Sequence, residues 1–172
     1  MKTFLAGIFL LIIGFANSQT TAYTGENDLK AQLGADLQRK NALGAVATID
    51  YGLSEYFSVG LQSAYIFKAK EIDGTPLQFK DRFDAKIRLS ASLGDTFRFP
   101  ENMDFYPGIN VGLRDVGGHI GFRYYFNNGI GLFTEGQFVI EKYTNTIESN
   151  NRLNNQFAVL AGLTFDLHHE PN

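Results

Sequence analysis

The sequence predicts an all-β fold, an eight-stranded antiparallel up-and-down transmembrane β-barrel preceded by a cleaved signal peptide. Three observations lead to this prediction. Apolar and polar residues alternate over long stretches, several stretches run to about 11 residues, and glycines recur on the polar side of the alternation. Strands of soluble proteins are mostly about 5 or 6 residues long, whereas a tilted strand that crosses a bilayer needs about 9 to 11.

The N-terminus resembles a secretory signal peptide. Lys2 precedes a charge-free apolar run from Phe4 to Phe15, and Ala16 and Ser18 supply the small residues of a cleavage site. The run is too short for a membrane helix, which needs about 20 apolar residues. We therefore expect residues 1–18 to be removed on export and residues 19–172 to form one barrel domain.

Composition removes several classes of function. Lys and Arg number 15 against 18 Asp and Glu, and no basic patch is present, which argues against a nucleic-acid partner. The chain has no cysteine, so disulfides, thiolate catalysis and cysteine-based metal sites are excluded. No later segment is apolar and long enough for a membrane helix, so we do not expect an α-helical membrane protein.

The clearest strand pattern runs from Arg82 to Leu93. Every second residue is apolar, and the residues between them are polar or charged. Because side chains alternate across a strand, this segment has one apolar face and one face with four charges. In a soluble sheet the charged face meets water, whereas in a membrane barrel the apolar face meets lipid and the charges point inward.

The same alternation can be followed in eight segments along the chain. Their apolar faces run from Leu29 to Leu37, Leu43 to Tyr51, Phe57 to Phe67, Phe83 to Leu93, Phe105 to Leu113, Ile120 to Phe126, Ile130 to Ile140 and Phe157 to Leu167. Tight turns are predicted at Gly52 to Glu55 and at Asn127 to Gly129, the second with Phe126 facing Ile130. Longer polar connections, Lys70 to Asp81 and Lys142 to Asn155, are predicted to be surface loops.

Three features indicate that the polar face is the enclosed one. Most strand glycines fall on it, where they make room for large side chains in a narrow lumen. Its charges are nearly balanced, as an enclosed network requires, with seven basic residues (Lys30, Lys68, Arg82, Lys86, Arg88, Arg114, Arg123) and six acidic ones (Asp36, Asp50, Asp84, Glu135, Glu141, Asp166). Aromatic residues gather at both ends of the apolar face, like two interfacial girdles. The predicted lumen charge network consists of Arg82, Asp84, Lys86, Arg88, Arg114, Arg123, Glu135 and Glu141.

With these features the chain resembles the small eight-stranded outer-membrane β-barrels of Gram-negative bacteria, such as OmpX and the membrane domain of OmpA. Gly162, Phe165 and Leu167 are similar to the pattern by which the last strand of these proteins is recognised for insertion. The resemblance implies that residues 19–172 are an outer-membrane β-barrel domain, monomeric and without a cofactor. It also implies outer-membrane lipid and lipopolysaccharide as partners, and the barrel-assembly machinery during insertion.

Enzymatic chemistry has little support in the sequence. Some outer-membrane barrels modify lipids, so His119 is the candidate base of a Ser/His/acid site. Position 121 is glycine, and no serine on the seventh segment shares a face with His119, which favours a polar lumen residue. His168, His169 and Glu170 are interpreted as a terminal tail, and Gly129-Ile130-Gly131 lacks the pattern of a phosphate loop. We predict no catalytic, cofactor-binding or metal-binding residue.

The predicted function is a structural or surface-contact role in the cell envelope through the two long loops. An even number of strands places both termini on one side, and short turns are typical of the periplasmic side, so the loops are expected outside the cell. Side chains fill the interior of an eight-stranded barrel, so no conducting pore is predicted. Two alternatives stay open: a secreted lipocalin-like carrier of an apolar ligand, which has the opposite polarity, and a lipid-modifying outer-membrane enzyme.

Overall fold

The structure is a computed structural model that describes residues 21–69, 77–126, 129–143 and 153–167. These residues form a closed barrel of eight strands, in which neighbours in the chain pair antiparallel and the last strand pairs with the first. The predicted fold class is therefore confirmed. The predicted signal peptide (residues 1–18) and the tail with His168, His169 and Glu170 lie outside the described residues.

The strands are between 9 and 13 residues long. They are β1 (Leu29–Gln38), β2 (Ala42–Gly52), β3 (Phe57–Lys68), β4 (Phe83–Ala91), β5 (Met103–Gly112), β6 (Asp115–Tyr125), β7 (Ile130–Lys142) and β8 (Ala158–Asp166). A 3₁₀ turn (Arg39–Asn41) joins β1 to β2, and a short helix, α1 (Phe79–Arg82), precedes β4.

Several strand boundaries differ from the predicted segments, most clearly those of β4 and β6. The fourth strand starts at Phe83 because Arg82 is the last residue of α1, whose first turn is capped by a bond from the Gln78 N–H to the Asp81 carboxylate (2.8 Å). It ends at Ala91, where an 11-residue connection to β5 begins. The sixth strand starts at Asp115, five residues before the predicted start at Ile120. The apolar and polar alternation is not visible in these five residues, because they contain a bulge after Val116 and two successive glycines.

The order of the strands divides the connections between two ends of the barrel. The terminal side, which holds both ends of the barrel domain, carries residues 53–56, 92–102 and 126–129; the loop side carries 39–41, 69–82, 113–114 and 143–157. The Phe126 N–H donates to the Ile130 carbonyl (2.8 Å), as predicted for the turn between β6 and β7. Residues 70–76, 127–128 and 144–152, within the predicted loops and turn, lie outside the described part of the chain.

The alternation places apolar side chains outside the barrel and most charged side chains inside. Leu61 on β3 is 66 % exposed, whereas Arg88 on the neighbouring β4 is 1 % exposed. The outer surface is therefore apolar, and the polar face is the enclosed one, as the glycines and aromatic residues indicated. A water-soluble carrier has the opposite arrangement.

The lumen also contains apolar side chains that the sequence analysis did not predict. Val46, Phe133 and Leu160 stand at inward positions of their strands and pack with two buried alanines. Ile66 and Leu153 form a second buried cluster with Ala42 near the loop side. These groups fill the space that the charged residues leave.

Glycines on the inner face make room for lumen side chains, as predicted. A Cβ atom at Gly121 would overlap the ring of Tyr106, and one at Gly108 would overlap the ring of His119. The rings of Tyr106 and His119 therefore fit because the residue that each pairs with on the adjacent strand is a glycine.

Candidate functional site in the barrel lumen

Arg88 stands at the centre of a hydrogen-bonded network that crosses the lumen. Its Nη2 atom lies 2.7 Å from Oε2 of Glu135 on β7, and its Nε lies 3.2 Å from Oδ1 of Asp50 on β2. Gln137 Nε2 donates to Glu135 Oε1 and to Gln62 Oε1, both at 2.7 Å. All of these side chains are buried, so the network ties β2, β3, β4 and β7 together inside the barrel.

A second charged pair lies nearer the terminal side. The Nε and Nη2 atoms of Arg123 donate to Oδ2 of Asp104 at 3.0 and 2.7 Å. The guanidinium also lies 4.7 Å from the ring centroid of Tyr106, within the range of a cation–π contact. Arg123 is thus paired by charge on one side and packed on an aromatic ring on another.

Two lysines are each shared between two carboxylates. Lys30 Nζ lies 2.9 Å from Asp28 and 3.0 Å from Asp166 at the terminal side. Lys86 Nζ lies 3.6 Å from Asp84 and 3.4 Å from Asp115 towards the loop side. Each of these groups has one cation for two anions.

Among the described residues the lumen holds more carboxyl groups than basic side chains, unlike the near balance that the sequence count gave. The acids that line the lumen among the described residues are Asp28, Asp36, Asp50, Asp84, Asp104, Asp115, Glu135 and Asp166, against the lumen cations Lys30, Lys86, Arg88 and Arg123. The count differs from that of the sequence analysis for two reasons. Lys68, Arg82 and Arg114 lie at or outside the rim, and the acids Asp28, Asp104 and Asp115 were not counted. Asp36 is a buried acid of the lumen that accepts a hydrogen bond from Gln38 Nε2 (2.8 Å) and forms no ion pair among the described residues.

The structure brings together five of the eight residues of the predicted network. Asp84, Lys86, Arg88, Arg123 and Glu135 point into the lumen. The other three lie at the loop-side rim. Arg82 donates to the Ile66 and Phe67 carbonyls (3.1 and 2.9 Å), Arg114 donates to the Lys80 carbonyl, and Glu141 is exposed.

Several lumen residues were missed although the alternation contained them. Asp104 precedes Phe105, and because Phe105 faces outward, the residue before it faces inward. It was left out because the fifth segment was taken to begin one residue later. Asp115 was left out for a similar reason, since the start of β6 was not recognised.

His119 lies in a hydrogen-bonded chain of three side chains inside the lumen. Its Nε2 atom is 3.0 Å from the Ser90 hydroxyl on β4, and its Nδ1 is 2.7 Å from Oδ1 of Asn110 on β5. With the amide oxygen as acceptor, Nδ1 carries the proton and Nε2 accepts from the serine, which is the bonding order of a nucleophile, base and orienting group. The sequence analysis compared His119 only with β7 and so missed the serine on β4.

The Ser90 hydroxyl of this hydrogen-bonded series is enclosed in the lumen. Ser90, His119 and Asn110 are all buried, and the His119 ring fills the space beside Gly108. One cavity of about 10 Å³ lies at the terminal side and another lies in the lumen beside Asp36 and Gln62; each has room for about one water, and Ser90 and His119 line neither of them. The arrangement therefore satisfies the hydrogen bonds of a buried histidine.

The N-terminal segment, residues 21–28, closes the terminal end of the lumen. The Tyr23 hydroxyl lies 2.8 Å from the carbonyl oxygens of Ser54 and Phe57, and the Ala22 N–H donates to the Glu101 carbonyl (2.6 Å). Burial, with a smaller contribution from the charge of Asp28, raises the pKa of Tyr23 to about 12. The hydroxyl therefore keeps its proton and remains a donor at neutral pH.

The residues of the predicted insertion signal lie in and just after β8. Gly162 pairs with Gly34 on β1, and Phe165, which faces outward, pairs with Ala31. Leu167 is exposed, and its N–H donates to the Leu29 carbonyl (2.8 Å). The end of β8 is thus held to the beginning of β1, where the barrel closes.

In the part of the chain that the structure describes, no group of three or more His, Cys, Asp or Glu residues is placed to hold a metal ion. No helix among these residues has the length and apolar character to cross a membrane.

Comparison with known proteins gives a structural likeness and a family. A solved structure described as "De novo design of transmembrane beta-barrels" superposes with a TM-score of 0.55 at 10 % identity, over 84 % of this chain and 98 % of that one. A second, described as "Solution NMR structure of de novo designed TMB2.3", has a TM-score of 0.48 at 13 % identity, over 84 % and 98 % of the two chains. No curated protein sequence matches. The model of DUF6646, a family of unknown function, matches residues 12–167, and the chain belongs to this family.

Proposed function

We propose that this protein is a non-enzymatic barrel of the Gram-negative outer membrane, with a structural or surface-contact role. One observation carries the proposal: the outer wall is apolar along its strands, and the charged side chains are enclosed. Large exposed apolar side chains occur on every strand, among them Leu33, Ile49, Leu61, Ile87, Ile109, Ile120, Leu132 and Leu163. A water-soluble protein rarely exposes a continuous apolar surface of this extent.

The dimensions of the barrel support the same proposal. A bilayer core is crossed by about 9 to 11 residues of tilted strand, and the strands here have 9 to 13. The closed sheet leaves no strand edge unpaired, which is the condition for placing a sheet in lipid. The fold of the designed transmembrane barrel agrees with this placement.

The remaining parts of the proposal concern sides and partners. The termini lie in the periplasm, and the connections between β3 and β4 and between β7 and β8 lie outside the cell, because these are the two longest connections and long loops are typical of the extracellular side. Outer-membrane lipid and lipopolysaccharide surround the monomer, and the barrel-assembly machinery inserts it after a signal peptide is removed. The buried position of Ser90 supports a role without catalysis.

The test is to express the full chain in a Gram-negative host and fractionate the envelope. We expect the protein in the outer membrane, resistant to an alkaline wash, with different gel mobility before and after heating in detergent. Protease added to intact cells should cut between β7 and β8. Release of a monomer by the alkaline wash would overturn the membrane placement, and cleavage only after the outer membrane is opened would reverse the proposed sides.

The lipid-modifying enzyme is tested separately through the Ser90, His119 and Asn110 chain, whose geometry is the observation in its favour. The folded protein in detergent is treated with a fluorophosphonate probe for activated serines. We expect no labelling, because the hydroxyl is buried. Labelling that is lost in Ser90→Ala would replace the non-enzymatic proposal with an acyl-transfer function.

A further inference from the structure

We propose that residues 94–100 form a membrane anchor, which places Phe97 and Phe99 in the boundary between lipid headgroups and acyl chains on the terminal side. This inference rests on the proposed membrane function and adds a binding surface to it. The surface lies on the connection between β4 and β5, outside the lumen described above.

The length of this connection is the first observation. The other two connections on the terminal side, residues 53–56 and 126–129, have four residues each, whereas residues 92–102 number 11. A β-hairpin needs about 2 to 5 loop residues. The additional residues are therefore not needed to reverse the chain.

The additional residues are ordered by their own backbone bonds. The Phe97 N–H donates to the Leu93 carbonyl (3.1 Å), and the Phe99 N–H donates to the Gly94 carbonyl (3.0 Å). The Ala22 N–H donates to the Glu101 carbonyl, which fastens the segment to the N-terminal closure of the lumen. The connection is thus a folded element with a fixed outer side.

Both phenylalanine rings of this connection pack on the outer wall. The Phe97 ring meets Phe105 edge-on at 5.7 Å, and the Phe99 ring meets Phe122 edge-on at 6.2 Å. Phe105 and Phe122 are outward residues of β5 and β6. Arg98, which lies between the two phenylalanines, has a left-handed backbone with a φ of 57°, a conformation that is uncommon for residues other than glycine.

After this packing, Phe97 is still 54 % exposed and Phe99 38 % exposed. Their free surface continues the apolar wall of the barrel, whereas Asp95, Arg98 and Glu101 are exposed polar residues of the same connection, residues 92–102. A segment with an apolar side towards lipid and charges towards water is suited to the membrane interface. Continuity with the apolar wall is why we assign lipid as the occupant.

The test uses tryptophan fluorescence, because the chain has no tryptophan. Single-tryptophan variants are made at three positions: Phe97, Leu61 on the outer wall of the barrel, and Glu101, an exposed polar residue of the same connection between β4 and β5. Each is folded into phosphatidylcholine vesicles whose acyl chains are brominated either near the headgroup or near the bilayer centre. Heat-dependent gel mobility verifies that every variant is folded.

We expect Phe97→Trp to be quenched several-fold more by the shallow bromines than Glu101→Trp, and Leu61→Trp to be quenched most by the deep ones. If Phe97→Trp is as accessible to aqueous acrylamide as Glu101→Trp while Leu61→Trp is quenched by lipid, the anchor is wrong and the membrane barrel stands. If Leu61→Trp is not quenched by lipid, the membrane barrel itself is wrong. Shielding of Phe97→Trp that grows with the protein-to-lipid ratio would assign the patch to a second copy and overturn the lipid anchor.

Discussion

Replacement of Leu61 by arginine tests directly which face of the barrel meets lipid. Leu61 is the fifth residue of β3, is 66 % exposed, and lies in a row with Ile49 and Ile87 on the adjacent strands. At about 3.3 Å per residue and a tilt of about 40°, its Cα lies roughly 10 Å above the terminal end of β3, well inside an apolar band about 25 Å tall. Arginine at such a depth costs about 2 to 4 kcal/mol in a membrane barrel.

The same change on a water-exposed surface costs less than about 0.5 kcal/mol, so the two environments give clearly different results. Leu113→Arg is the matched control, because Leu113 is 63 % exposed but lies in the short connection between β5 and β6. Near the interface the expected cost is about 0 to 1 kcal/mol. Both variants are measured by guanidinium unfolding from lipid vesicles, followed by circular dichroism. Equal, small losses of stability in the two variants would refute the assignment of the outer wall to lipid.

Three further predictions concern the inner face and use the same unfolding assay. Arg88→Leu should cost about 3 to 5 kcal/mol, because it leaves the Glu135 carboxylate buried without its cation; a loss below about 1 kcal/mol would contradict the ion pair. Asp36→Asn should leave the free energy of unfolding unchanged or raise it, since the buried carboxylate has no ion pair among the described residues. A loss of stability near that of Arg88→Leu would show that the charge of Asp36 is compensated. Gly121→Ala should cost about 1 to 3 kcal/mol by overlap with the Tyr106 ring, and an unchanged midpoint would mean that the ring moves freely.

The alternation of residues was sufficient to predict the strands and their faces. A period of two over about 10 residues fixes which side chains share a face, and the excess of glycine on the polar face indicates that this face is crowded. Boundaries were less accurate where other local structure replaces the strand. Arg82 continues the alternation of β4, yet the bond between Gln78 and Asp81 places it in α1.

The sequence pattern could not predict which charged residues form ion pairs with each other. Periodicity shows that Arg88, Asp50 and Glu135 point inward, but these residues come from β4, β2 and β7, and their distances depend on how the sheet closes. For the same reason the serine that bonds His119 was sought on the wrong strand. Ser90 and His119 lie on the two strands that flank β5, and they meet over Gly108, which pairs with both.

The sequence by itself determined the class of this protein: the strand period, the lengths of the strands, and the opposition of an apolar and a polar face follow from residue order. Only the tertiary structure decided which acids share which cations, that the lumen holds more carboxylates than cations, and that Phe97 and Phe99 fold back onto the outer wall. The physical reason is that alternation is a local property of the chain. Distances across a closed barrel are set by the register and curvature of all eight strands together.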